Sequence, residues 1–165
     1  MLIRDANPDE FGEIGDLRVD AYLADGFLSP ESGYATRLRE LGADGLGSVL
    51  VAVGTERGPI LGTVMLQFWP NAGHVAQSPS EAEIRALAVR PGVQGAGIGR
   101  GLLAAAIDRA MREGVSHLVL STQREMKAAH HLYEEAGFQR LPDRDWWPEP
   151  DELLLAYGKR LRAVA

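Results

Sequence analysis

The order of apolar and glycine-rich segments predicts a mixed α/β fold on a single sheet, and three observations carry that prediction. Apolar runs of strand length recur at residues 49–53, 60–68, 84–89, 117–122 and 152–157. Segments of helical spacing accompany them, at 11–21 ahead of these runs and at 125–136 between the last two, among others. The stretch from Glu83 to Glu113 passes from strand through a glycine-rich turn into a helix, and the strand at 117–122 follows it. A strand–helix–strand unit of that length closes as a right-handed crossover, so its two strands should be parallel neighbours. Residues 49–53 and 60–68, joined by Thr55-Glu56-Arg57-Gly58-Pro59, instead predict an antiparallel hairpin.

Residues 2–5 form a short first strand. Asn7 as N-cap, Pro8 at the first helical position and Glu10 at the capping-box position then start a helix. Its apolar face is Phe11, Ile14, Leu17 and Ala21, with Arg18 on the same spacing. Residues 22–32 place Gly26, Ser29 and Pro30 among an exposed Tyr22, Phe27 and Leu28. They suit either a lid over a site or a packed helix–helix connection. Residues 31–41 suit a second short helix, stopped by Gly42, and residues 70–80 are polar and loop-like. On the helix that ends at Glu113, Leu102, Leu103, Ala106, Ile107, Ala110 and Met111 make the buried stripe, and Gly114 is a C′ residue. Gly137-Phe138 close the helix at 125–136, and a polar, proline-bounded loop at 141–151 leads to the last strand. No repeat, low-complexity tract or linker breaks this order, so one domain over residues 1–165 is expected.

Composition narrows the chemistry. At 45% hydrophobic and 24% charged residues, the 165-residue chain can bury a core of its own. A net charge of −6 argues against non-specific nucleic-acid binding, and an anionic ligand would have to be held by local donors. No apolar run approaches the roughly 20 residues of a membrane span. The N-terminus lacks a basic segment leading into a long apolar one, so a cytoplasmic location is expected. The absence of cysteine removes disulfides, thiolate metal sites and a cysteine acyl-enzyme. The four histidines have no ligand spacing, so no metal is expected. His130 and His131 are adjacent on a helix, point about 100° apart, and are expected to be exposed.

The turn after residue 89 is where chemistry should start. Gly95, Gly97, Gly99 and Gly101 alternate at the entry to a helix. Glycine lets backbone approach a ligand closely, and a helix N-terminus adds free N–H donors and partial positive charge, so the junction suits a phosphate. It is not a Walker loop, because no Lys follows at that spacing. It is not the dinucleotide pattern GxGxxG either: the sixth residue from Gly95 is Arg100, and from Gly97 it is Leu102. What remains is Gln94-Gly95-Ala96-Gly97-Ile98-Gly99, a Q-x-x-G-x-G segment preceded by Leu87-Ala88-Val89-Arg90-Pro91. Downstream, Ala129 to Phe138 spell A-x-x-L-Y-x-x-x-G-F.

With these two motifs the chain resembles the GNAT superfamily of N-acetyltransferases, over about a third of its length, from 81 to 138. The resemblance implies a mixed, largely antiparallel sheet with helices on both faces and a parallel strand pair splayed to admit CoA. It implies acetyl-CoA as acyl donor, with Leu87, Ala88 and Val89 offering backbone groups to the pantetheine arm. Gln94, Gly95, Ala96, Gly97, Ile98 and Gly99, with the backbone around Arg100, would hold the pyrophosphate. Arg90 and Arg100 either reach phosphates or are simply solvated.

The family's matching tyrosine lies beside the CoA sulfur, so the resemblance makes Tyr133 the general acid for the departing thiolate. A phenol near pKa ~10 is protonated at neutral pH and can donate. The alternative is a core aromatic. Met126 stands where the family often has Asn, which puts a side-chain contact to CoA there in doubt. An alkylammonium must lose a proton before it can attack a thioester, and a carboxylate can take it directly or through water. Glu83 opens the strand that lines the family's active site and is the expected base. Glu81 shares its face in a regular strand, and the alternatives for Glu83 are a solvated strand end or an ion pair with Arg85.

Trp146-Trp147, flanked by Asp143, Asp145, Glu149 and Asp151, either wall a site for a cationic amine or pin their loop to the core. The implied activity is acetyl transfer to a primary amine of a small molecule, peptide or protein, made directly in a ternary complex by a monomer or homodimer. A non-catalytic acyl-CoA-binding module and a transferase of longer acyl groups are the alternatives.

Overall fold

A computed structural model describes residues 1–29, 33–72 and 74–162. The strands are β1 (Leu2–Asp5), β2 (Ser48–Val53), β3 (Ile60–Phe68), β4 (Glu81–Val89), β5 (His117–Gln123), β6 (Gln139–Arg140), β7 (Trp146–Glu149) and β8 (Glu152–Arg160). The helices are α1 (Phe11–Ala24), α2 (Tyr34–Glu40), α3 (Ile98–Arg112) and α4 (Lys127–Glu135). The sheet order is β1-β2-β3-β4-β5-β8-β6, with β7 paired to β8. The predicted parallel pair is β4 with β5, whereas β1–β2, β5–β8, β6–β8 and β7–β8 are antiparallel. The mixed α/β expectation therefore holds. The connection from β2 to its neighbour β3 is too short for a crossover and leaves only a hairpin.

The residues divide into two compact units, Met1–Met65 with Ala86–Ala106, and Leu66–Arg85 with Ile107–Ala165. In the first, Glu10 accepts the Asn7 N–H at 2.7 Å and a fork from Arg4 at 2.8 and 2.9 Å, which fixes the chain as a 3-10 turn at Pro8–Glu10 leads into α1. The expected apolar face is buried: Ile14, Leu17 and Ala21 pack with Val49, Val51, Val53, Ile60, Met65 and Ala88. Arg18 is buried with them, and its Nη1 donates to the carbonyls of Leu38 and Leu41 at the end of α2.

The segment beginning at Tyr22 departs from the exposed loop that its composition predicts. α1 continues to Ala24 and ends in a Schellman cap, Phe27 N–H to Tyr22 O at 2.9 Å and Gly26 N–H to Leu23 O at 3.1 Å. Gly26 supplies the required positive φ of 75°. Leu28, expected to be exposed, is buried with Val19 and Leu38. This supports the packed-connection alternative. Pro30 and the predicted start of the second helix at Glu31 lie outside the described residues.

In the second unit β8 is the organising strand. It pairs with β5 from His117↔Arg160 to Gln123↔Leu154, and also with β6 and β7. The loop predicted over 141–151 instead holds a 3-10 turn at Pro142–Arg144 and the strand β7. Residues 70–80 carry no helix or strand among those described, as expected, but they are not polar throughout. Ala72, Val75 and Ala76 pack on Val119 and Ala156, with Leu141 and Trp146 against them.

Candidate active site

The glycine-rich turn lies in the first unit. α3 opens at Ile98, and its first helical bond is Gly101 N–H to Gly97 O at 3.0 Å, so the N–H groups of Ile98 and Gly99 precede the ladder. Gly95 and Gly97 have φ of 87° and 81°, a region closed to most side chains. Gln94, Gly95, Ala96, Gly97 and Arg100 are exposed, and Ile98 is buried as the anchor. Gly62 on β3 explains how α3 is seated. A Cβ there would come within 2.9 Å of Ile98 and Leu102 and 3.0 Å of the Ala88 carbonyl.

Arg90, expected either to reach a phosphate or to be solvated, is engaged within the fold. Its Nε donates to Ile60 O at 2.8 Å, and its Nη2 lies 3.4 Å from Glu13. Just before Leu87, Ala88 and Val89, the backbone of β4 has a kink the sequence does not announce. Ala86 has φ 53°, a left-handed conformation that costs an L-residue roughly 1–2 kcal/mol. The β4–β5 ladder stops in the same region, running from Glu81↔His117 only to Ile84↔Leu120.

The carboxylates lie in the second unit, and neither is a solvated strand end. Glu83 is 2% exposed. Its Oε1 accepts the Val75 N–H at 2.9 Å, and Arg85 Nε stands 3.9 Å from Oε2. Burial raises its pKa above the ordinary carboxylate value, only partly opposed by Arg85 and the Val75 N–H. Glu81 is equally buried but fully engaged. Arg144 forks onto it at 2.9 and 3.0 Å, Gln77 N–H donates at 2.7 Å, and His117 Nδ1 lies 2.6 Å away. Burial pushes Glu81 up, but these donors outweigh it and hold its pKa at about 2. A carboxylate so occupied cannot serve as a proton acceptor near neutrality.

Tyr133 on α4 is buried, its ring 5.9 Å from that of Phe138 and 6.2 Å from that of Tyr157. Burial raises its hydroxyl pKa well above the usual phenol value, so the hydroxyl keeps its proton at any working pH. Met126, at the family's asparagine position, accepts the Thr122 hydroxyl on its sulfur at 3.6 Å and caps α4 through its carbonyl, which takes the His130 N–H. The expectation that both histidines are exposed fails for His130. It is buried, with Nε2 2.9 Å from Gln123 O and its ring tilted on Tyr157.

The tryptophans separate. Trp146 stacks on His74 at 4.6 Å and packs on the core, whereas Trp147 is 58% exposed. Among their acidic neighbours, Asp145 is paired with Arg140 at 2.7 and 2.8 Å and accepts the Ala156 N–H, while Asp143, Glu149 and Asp151 are exposed. Among the described residues, no helix is long and apolar enough to cross a membrane, and no group of three or more His, Asp or Glu could hold a metal.

Solved structures share this fold. An acetyltransferase of the GNAT family from Staphylococcus aureus Mu50 superposes with a TM-score of 0.74 at 18% identity, over 98% of this chain and 99% of that one. A Salmonella typhimurium protein described as a candidate acetyltransferase, solved with its cofactor acetyl-CoA, gives 0.70 at 24% identity, over 100% and 96%. At these identities the likeness is one of fold. The model of the acetyltransferase (GNAT) family matches residues 7–138, and the chain belongs to that family. Among curated proteins, the mycothiol acetyltransferase of Kocuria rhizophila is 37% identical over 81 residues, which is 49% of this chain and 26% of that protein. The chain thus matches about a quarter of the length of such relatives.

Proposed function

We propose that this chain acts as one domain that transfers an acetyl group from acetyl-CoA to a primary amine, directly and within a ternary complex. The observation that carries the reading is Glu83, a buried carboxylate with one oxygen fixed by the Val75 N–H and a raised proton affinity. Such a group accepts a proton more readily than an ordinary carboxylate, as an ammonium nucleophile requires. The amine nitrogen adds to the thioester carbonyl and its proton passes to Glu83, directly or through water. The C–S bond then breaks, the sulfur receives a proton from the Tyr133 hydroxyl, and the surplus proton on the newly bonded nitrogen restores that hydroxyl, leaving the amide and free CoA. Leu87, Ala88 and Val89 hold the pantetheine arm by backbone groups. Residues Gln94 to Gly99 and the backbone at Arg100 hold the pyrophosphate through N–H donors at the start of α3.

The acceptor in this reading is cationic. Glu152 has its pKa raised by burial and then by the charges of Asp151, Glu149 and Glu125, so this surface gains by receiving an ammonium group. The test is release of free CoA thiol from acetyl-CoA across a panel of polyamines, amino sugars and peptide N-termini. Turnover of at least one class, fastest for the polyamines with their additional positive charge, is the expected result. Acetyl-CoA binding without turnover on any of them would sink the reading.

A further inference from the structure

Glu83 does not reach its hydrogen bond unaided. Val75, whose N–H holds Glu83 Oε1 at 2.9 Å, lies in a stretch with no helix or strand among the described residues, yet is 1% exposed. Its carbonyl accepts from Arg144 Nη1 at 3.2 Å. That guanidinium forks onto Glu81, which in turn accepts Gln77 N–H and meets His117 Nδ1. Both polar groups of Val75 are therefore committed, one to the proposed base and one to an arginine anchored on the base's own strand. Apolar burial of Ala72, Val75 and Ala76 favours the inward placement of this segment but is non-directional. The planar fork supplies the direction.

We propose that Arg144 is a positioning residue: through its fork on Glu81 and its bond to the Val75 carbonyl, it sets the Val75 N–H on Glu83 and so tunes the base. The proposal rests on the reading of Glu83 as base. The charged neighbour of Glu83 is Arg85, itself 3.4 Å from the Gln67 amide oxygen. Around Val75 and Glu81 stand Arg144, His117 and the stacked His74, while Asp145 is taken up by Arg140. Of the groups that stabilise the Glu83 carboxylate, the Val75 N–H is the one Arg144 controls. Loosening it lets Glu83 hold its proton more tightly and moves the acidic limb of the rate profile to higher pH.

The test compares profiles of kcat/KM against pH for the intact protein, Arg144→Lys, the double substitution Arg144→Met with Glu81→Gln, and Glu83→Gln. Arg144→Lys keeps the charge and loses the fork. The double substitution leaves no unpaired buried charge, which guards against simple unfolding. The expected result is an acidic limb displaced upward by about half a pH unit in both, with kcat down roughly tenfold and KM for acetyl-CoA unchanged. If Glu83→Gln removes the limb while both Arg144 variants keep it at its original pH, the positioning role is wrong and the base assignment stands. If the limb persists in Glu83→Gln, both are wrong.

Discussion

Glu81 and Glu83 stand two residues apart on β4, both nearly inaccessible to solvent, and their surroundings drive them in opposite directions. Glu81 is held ionised with a pKa of about 2, whereas Glu83 is pushed above the ordinary value by burial. The difference lies in the donors. One carboxylate receives an arginine fork, a backbone N–H and a histidine, and the other receives a single N–H with Arg85 at 3.9 Å. Two carboxyl groups split in this way suggest two roles, one structural and one chemical.

The chemical role predicts a separation of activity from stability in Glu83→Gln. Loss of a general base lowers kcat/KM by roughly 10²–10⁴-fold, and the acidic limb disappears with it. Stability should move the other way. A folded pKa raised above the unfolded value contributes stability that is present below the unfolded pKa and lost as pH rises through the folded one. Wherever Glu83 is ionised, its buried charge is therefore a burden that Gln lacks. Urea denaturation near neutrality should find Glu83→Gln at least as stable as the parent, with the difference shrinking in acid.

For Glu81 the sign is reversed. Its folded pKa of about 2 lies below the ordinary 4.5, a gap worth roughly 3 kcal/mol. That stability is fully present above pH 4.5 and is lost as pH falls through about 2. Glu81→Gln should thus be destabilised by roughly 3 kcal/mol at neutral pH, and the two denaturation midpoints should converge in acid. Parallel curves down to the lowest pH would show that the fork contributes nothing through ionisation.

Gly97→Ala isolates the donor turn. A Cβ at Gly97 meets no atom within 4 Å, so the cost to the free protein comes only from its φ of 81° and should be about 1 kcal/mol. A ligand lying against the turn would add a clash that the free protein does not feel. Calorimetric titration should show acetyl-CoA affinity falling about tenfold or more, beyond what the stability loss accounts for. Gly12→Ala is the control: its Cβ also meets nothing, it lies in α1, and it should leave affinity untouched.

These contrasts follow the line between what sequence could and could not reveal. The start of α1, the stripe on α3 and the crossover to β5 were legible because their signals are local: a cap, a 3.6-residue period, a glycine stop. β7 was not, because acidic residues and two prolines around Trp146-Trp147 look like a loop until β8 is there to pair with them. The turn at residues 94–99 was legible from its glycines. The kink at Ala86 was not, since nothing in an alanine signals a positive φ. The Glu81–His117–Arg144 cluster joins residues 36 and 63 apart in sequence, and no spacing rule spans that distance. Arg144 fell in a segment expected to be a polar, proline-bounded loop, and its guanidinium donates to the Val75 carbonyl instead.

Tyr133 tests the other half of the proton traffic. Its ring is held by Phe138 and Tyr157, contacts that phenylalanine keeps, so Tyr133→Phe should melt within a degree or two of the parent. Burial raises its pKa well above that of an ordinary phenol, so the hydroxyl stays protonated through the alkaline range and cannot be the source of any alkaline limb. If it donates to the departing sulfur, kcat falls roughly 10- to 100-fold in Tyr133→Phe, while acetyl-CoA affinity and the acidic limb set by Glu83 stay where they are. Removing an interaction made only in the transition state lowers kcat and kcat/KM together. A rise in KM for acetyl-CoA with kcat unchanged would instead make Tyr133 a wall of the donor site, with the proton supplied by solvent.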